Sequence, residues 1–222
     1  MNIYANIVQF FQQGGVFMYP IVVVLALGLA IAIERYVYLS VFSLRNQRTW
    51  QQLLPLLQTG KLREAQAYTE QSKAAISRIL NYGLSRLGIA RRTSDLEMAM
   101  EEGLMEVVPR IEKRTHYLAT LANIATLLGL LGTIIGLIEA FTAVASANPA
   151  EKADMLSASI SVAMNTTAFG LMVGIPLLMI HAVLQTKSTQ IIDSLEMASV
   201  KVMNIIGDHA NRQAATATAS AS

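Results

Sequence analysis

Residues 117–138 read YLATLANIATLLGLLGTIIGLI, 22 residues without a charged side chain. As a helix rising ~1.5 Å per residue, that run matches the ~30 Å of hydrocarbon in a bilayer. Working outward, residues 16–33 give 18 uncharged positions and residues 155–180 give 26. The whole chain of 222 residues is 53% hydrophobic and 14% charged, where a soluble domain carries about 25% charged residues. An ordinary soluble enzyme is excluded. The first block has no Lys or Arg before it, and Glu34-Arg35 stands where a small-residue cleavage site belongs, so it reads as a span rather than a signal peptide. The expected fold class is an all-α integral membrane protein with three transmembrane helices, the second and third extended into a cytoplasmic helical region.

The basic residues set the expected orientation. Twelve of the seventeen Lys and Arg fall within residues 44–116, and Lys187, Lys201 and Arg212 follow the third block. Residues 1–15 carry none, and Lys152 is alone in the short connection after the second block. The positive-inside rule therefore puts 44–116 and the C-terminus in the cytoplasm and the N-terminus outside. The net charge of +2 reads as a topology signal, not as a nucleic-acid surface. With no cysteine, neither a disulfide framework nor thiol chemistry arises.

This organises the chain as an external N-terminus (1–15), a first transmembrane helix (16–43), a cytoplasmic helical region (44–116) and a second transmembrane helix (117–147). An external loop (148–154), a third transmembrane helix (155–186), a cytoplasmic helix (187–210) and a disordered tail (211–222) follow. Within 44–116, Pro55 interrupts an amphipathic stretch that Gly60 ends, and a break falls over Gly88 to Thr93. Ser94 and Glu97 form a capping box with Asp95 at the positive end of the helix dipole. From that cap a single helix of about 54 residues is expected to run to Asn148-Pro149, bent at Pro109 near the membrane surface.

Inside the membrane the second span offers small residues on one face, among them Gly129, Gly132 and Gly136, and the third offers Gly170 and Gly174. Such faces let helices approach closely. With no fourth span in the chain, they are expected to meet neighbouring copies in a ring enclosing a pore. Asn165, Thr166 and Thr167 stand near the middle of the third span, where unpaired polar groups are costly. They face protein or water, or their hydroxyls bond back to their own helix. Glu139 is either a proton-entry group or a carboxylate meeting interfacial water. Glu34 and Arg35 read as an interfacial ion pair. His116, His181 and His209 lack metal-ligand spacing, no cofactor motif is present, and the methionines read as packing.

Two motifs carry a family resemblance. Gly129-Leu130-Leu131-Gly132-Thr133-Ile134-Ile135-Gly136, followed by Phe141, resembles the second-span motif of the MotA/TolQ/ExbB proton-channel family. Thr167-Ala168-Phe169-Gly170-Leu171, followed by Ile175-Pro176, resembles its third-span motif. The three-span plan matches the ExbB and TolQ branch better than MotA, which has four spans. Two departures stand out: Val162 occupies the place of a usual glutamate, and Thr126 that of a usual proline.

The resemblance implies a proton channel rather than an enzyme, a homopentamer around a pore, and pore threonines Thr133 and Thr167. It also implies a single-span partner resembling ExbD or TolR, which supplies the proton-carrying aspartate. The expected role is that of an inner-membrane motor subunit using proton motive force to energise a TonB-like protein for outer-membrane transport. A TolQ-like motor acting on a TolA-like protein of the Tol-Pal kind is the second reading, and a non-conducting membrane scaffold is the third.

Overall fold

The computed structural model describes residues 14–87, 93–146 and 148–220. Six helices occupy them: α1 Met18–Gln58, α2 Leu62–Gln71, α3 Ala75–Leu84, α4 Thr93–Glu112, α5 Thr115–Ser146 and α6 Lys152–Ser220. The protein is all-helical, and three helical stretches are long and apolar enough to cross a membrane, within Met18–Gln58, Ser94–Ala145 and Lys152–His209. Contacts divide the chain into two compact units. One comprises Met1–Arg35 and Arg114–Leu184, the other Tyr36–Lys113 and Gln185–Ser222.

The first unit is a packing of three apolar helices around very small residues. On α5 the buried positions include 118, 122, 125, 129 and 132, and on α6 they include 163, 166, 170, 173 and 177. The alternating three- and four-residue spacing puts each set on one helix face. At the centre a Cβ added to Gly170 would lie 2.7 Å from the Ala125 carbonyl oxygen and 2.9 Å from Gly129 Cα. Only glycine permits backbones this close. Gly28 on α1 meets a side chain of α6 instead, its added Cβ falling 2.7 Å from a Leu177 methyl.

The second unit has an ordinary aliphatic core. Leu53 and Leu57 of α1, Ile79 and Leu80 of α3, Ile111 of α4 and Val202 of α6 are all essentially buried. α1 runs through Pro55 to Gln58 and ends in a Schellman cap: Lys61 N–H bonds Leu56 O at 3.0 Å, and Gly60 N–H bonds Leu57 O at 3.1 Å. Gly60 sits there at φ +73°, the left-handed residue that motif demands. α3 has no side-chain cap of its own on Ala74. Asn46, buried on α1, supplies it by accepting the Ile76 N–H at 2.9 Å.

Four expectations need correction. The helix after residue 94 is not continuous, because α4 ends at Glu112 and α5 begins at Thr115. Pro109 lies inside α4, where the ladder resumes as Lys113 N–H reaches Pro109 O at 3.1 Å. The break is made instead by Arg114, held at φ 66°, a conformation costly for any residue with a Cβ.

Glu34 does not pair with Arg35. Arg114 Nη1 donates to both Glu34 carboxylate oxygens at 2.7 and 3.0 Å, and Arg35 is 3% exposed. Adjacent helical residues do not face each other. α4 begins at Thr93, one residue before Ser94, so Ser94 sits in its first turn rather than at the cap. The tail expected to be disordered from Asn211 continues α6 to Ser220; it is rich in Ala, the best helix former, and holds neither Gly nor Pro. Residues 1–13, 88–92, 147, 221 and 222, which include most of the external N-terminus and of the Gly88–Thr93 break, lie outside the described residues.

Candidate functional site

The polar centre of the first unit is built on α5 and α6. Thr133 on α5 and Thr167 on α6 bring their hydroxyls into direct contact. Both converge on one carbonyl: Thr167 Oγ1 donates to Gly129 O at 2.8 Å, and Thr133 Oγ1 lies 3.2 Å from the same oxygen. This geometry follows from the glycines. Gly129 has no side chain to cover its own carbonyl's neighbourhood, and an added Cβ would be 3.2 Å from Thr167 Cα, so the two helices close far enough for the hydroxyls to meet.

Both threonines are half-buried. Each hydroxyl has one proton to donate and two lone pairs, so the pair keeps acceptor capacity after satisfying Gly129. It is a neutral hydrogen-bonding site that can exchange partners with water or a carboxylic acid without carrying charge itself.

The neighbouring polar residues separate from this pair. Thr166 is 2% exposed, and its hydroxyl reaches Gly14 O at 2.6 Å and Val162 O at 3.0 Å. Its hydroxyl is thus enclosed within one chain, apart from the threonine pair. Asn165 is half-buried and makes no hydrogen bond among the described residues. Lying two positions before Thr167, it points some 200° around the helix from it and does not join the threonine pair. Glu139 is exposed, six residues beyond Thr133 on α5.

Gly132 and Gly136 extend the contact with α6, facing Thr166 and Ala163 respectively, and Gly174 faces Thr126 and the Ala122 carbonyl. The small-residue faces thus meet each other within one chain, which corrects the expectation that they await a neighbouring copy. The Gly14 carbonyl as partner of Thr166 was missed in the sequence; a Gly14-Gly15 pair just before an apolar span was the available signal. Among the described residues, no group of three His, Cys, Asp or Glu side chains is placed to hold a metal.

A profile of the MotA/TolQ/ExbB proton channel family matches residues 71–197, more than half the chain and both motif-bearing helices. The chain belongs to this family. Its relatives include a protein of Methanothermobacter thermautotrophicus named as a biopolymer transport ExbB homolog. That protein is 28% identical over 199 residues, 89% of this chain and 69% of the relative. An ExbB-like 1 protein of Synechocystis is 28% identical over 82% of this chain and 72% of its own length. The Tol-Pal system protein TolQ of Haemophilus influenzae is 34% identical over 83 residues, 37% of this chain and 36% of its own. This ExbB-like member is accordingly a multi-pass membrane protein of a proton-channel family, not of an enzyme family.

Proposed function

We propose that the chain is the channel-forming subunit of an inner-membrane motor, with its N-terminus periplasmic and its C-terminus cytoplasmic. Five copies form a ring, and a single-span partner resembling ExbD or TolR places an aspartate opposite Thr133 and Thr167. A proton crossing ~100 mV releases about 2.3 kcal/mol. Its passage through the aspartate turns the partner against the ring and energises a TonB-like protein for outer-membrane transport. The observation that carries this reading is the paired hydroxyls of Thr133 and Thr167 on the Gly129 carbonyl.

The pair suits the role because it is half-buried and uncharged, and Val162 on the same span cannot titrate. The proton-carrying group must then come from the partner. Glu139, six residues outward and exposed, serves as the proton-entry group. The likeness to TolQ over 83 residues supports a second reading, in which the protein energised is TolA-like and belongs to a Tol-Pal system.

Substitution of both threonines tests the motor. Thr→Val keeps the shape and removes the hydroxyl, so Thr133→Val/Thr167→Val is expected to retain normal subunit levels and partner binding while losing proton-dependent transport. Full activity in that double variant defeats the mechanism and favours a scaffold that conducts nothing.

A further inference from the structure

Beyond α1, four large apolar side chains of the second unit stand exposed among the described residues: Met98 and Met105 on α4, Met197 and Val200 on α6. Their spacing, seven residues on α4 and three on α6, makes each pair a strip on one helix face. Neither strip suits hydrocarbon, because each carries a charge. Glu101 lies between the α4 methionines, and Lys201 stands one turn past Met197. Both charges are exposed, and neither has an ion-pair partner among the described residues. By contrast Glu102 and Glu106, beside Glu101, are paired with Arg86 and Arg78. On α6 a shallow hollow runs along the strip from Asp193 and Glu196 past Met197 to Asn204.

The two strips are level with each other. α6 bonds α1 twice, through Lys187 to Ser40 at 2.6 Å and through His209 to the Leu57 carbonyl at 3.2 Å, and residues 197–201 fall midway between. Asn46, also between those contacts, caps α3 at Ile76, and Arg78 of α3 meets Glu106 of α4 at 2.7 Å. A closed ring repeats by rotation alone, so surfaces that join its copies head to tail must lie at one height. Their spacing also fits. Set antiparallel with Glu101 opposite Lys201, Met105 falls opposite Met197, four residues away on each helix. Set parallel, Met105 would face the half-buried Ile205 and Met197 would face Glu97.

We propose that α4 of one copy docks on α6 of the next through these strips, antiparallel, with Glu101 opposite Lys201 and Met105 opposite Met197. The apolar side chains shield the ion pair from water, and the ion pair fixes the register. So few side chains fall well short of the ~800 Å² a side of a free-standing interface. The contact therefore serves copies already held side by side in the membrane. The inference rests on the ring reading and names where its copies touch outside the membrane; it does not depend on proton conduction.

The chain has no cysteine, so disulfide trapping has no background. Membranes holding the full-length Met105→Cys/Met197→Cys protein are oxidised with copper phenanthroline and resolved without reductant. Expected is a ladder of linked copies from the dimer upward, with only monomer from either single variant. Glu101→Lys in the double-cysteine chain should lower the yield about fivefold, and adding Lys201→Glu should restore it. Glu70→Cys/Met197→Cys, with its first cysteine on the exposed side of α2, should give no ladder. All of these positions are exposed, so the fold tolerates the changes. An equal ladder from the Glu70→Cys control is random collision and overturns the proposal. So do dimers from a single variant, a disulfide closed within one chain, or a yield that Glu101→Lys leaves unmoved. Native mass of the unoxidised protein separates this inference from the reading beneath it. A pentamer that yields no ladder overturns the interface and leaves the ring standing, whereas monomers alone remove both.

Discussion

Three threonines on two helices differ in their hydrogen bonds. Thr133 and Thr167 share the Gly129 carbonyl and remain half-buried, whereas Thr166 is enclosed against Gly14. Thr166→Val strands no partner with an obligatory donor, but it forfeits a buried hydrogen bond worth about 1 kcal/mol. It is expected to lower the unfolding temperature in detergent while leaving proton-dependent transport in place, the reverse of the result for the other pair. Comparing melting and transport in the two variants separates a packing hydroxyl from a pathway hydroxyl. Outside the spans, Tyr82 donates to Glu106 at 3.2 Å, and that hydrogen bond and the carboxylate's charge raise the phenol above its ordinary range. A raised acid stabilises the fold below its unfolded value and ceases to as pH climbs through the folded one. The Tyr82–Glu106 contact is therefore intact at neutral pH and lost only in strong alkali. Difference titration of tyrosinate absorbance against Tyr82→Phe should show the midpoint falling in a Glu106→Gln background.

At the scale of elements, glycine decides where helices touch and where they stop. A Cβ on Gly170 would press into the Ala125 carbonyl at 2.7 Å, and backbone cannot step aside as a side-chain tip can. Gly170→Ala is expected to destabilise by about 1–3 kcal/mol, and by separating α5 from α6 it should also part Thr133 from Thr167. Gly207, also in α6, has nothing within 4 Å of an added Cβ. There Gly→Ala should stabilise, by up to about 1 kcal/mol. Thermal unfolding of the two variants side by side checks both signs. The Schellman cap at Gly60 and the break at Arg114 were unequally visible in the sequence. Gly60 announces itself because a helix end calls for φ above zero, but an arginine in the same conformation carries no local signal. Arg114 is held there with Glu34 on its guanidinium, a partner eighty residues earlier that no local pattern predicts.

For the whole molecule, the glycine faces are used within one chain, so the proposed ring would be assembled through other surfaces. Leu127, Leu130, Ile134, Ile138 and Phe141 remain exposed along α5, as do Leu171, Met172, Ile175, Leu178 and Met179 along α6. We expect native mass measurement in mild detergent to give a homopentamer; monomers alone, in detergent and in lipid, would remove the ring and with it the pore. The three spans and the two family motifs were legible in the amino-acid sequence. Uncharged length and residue spacing are local properties, and a bilayer tests them one helix at a time. Tertiary structure alone decided that Thr166 is enclosed while Thr167 is not, because one residue of offset turns a side chain by about 100° and only a packed neighbour distinguishes the two directions. It likewise chose Arg114 over Arg35 for Glu34, and Asn46 as the cap of α3, since each joins residues far apart in the chain through contacts that exist only once the helices have met.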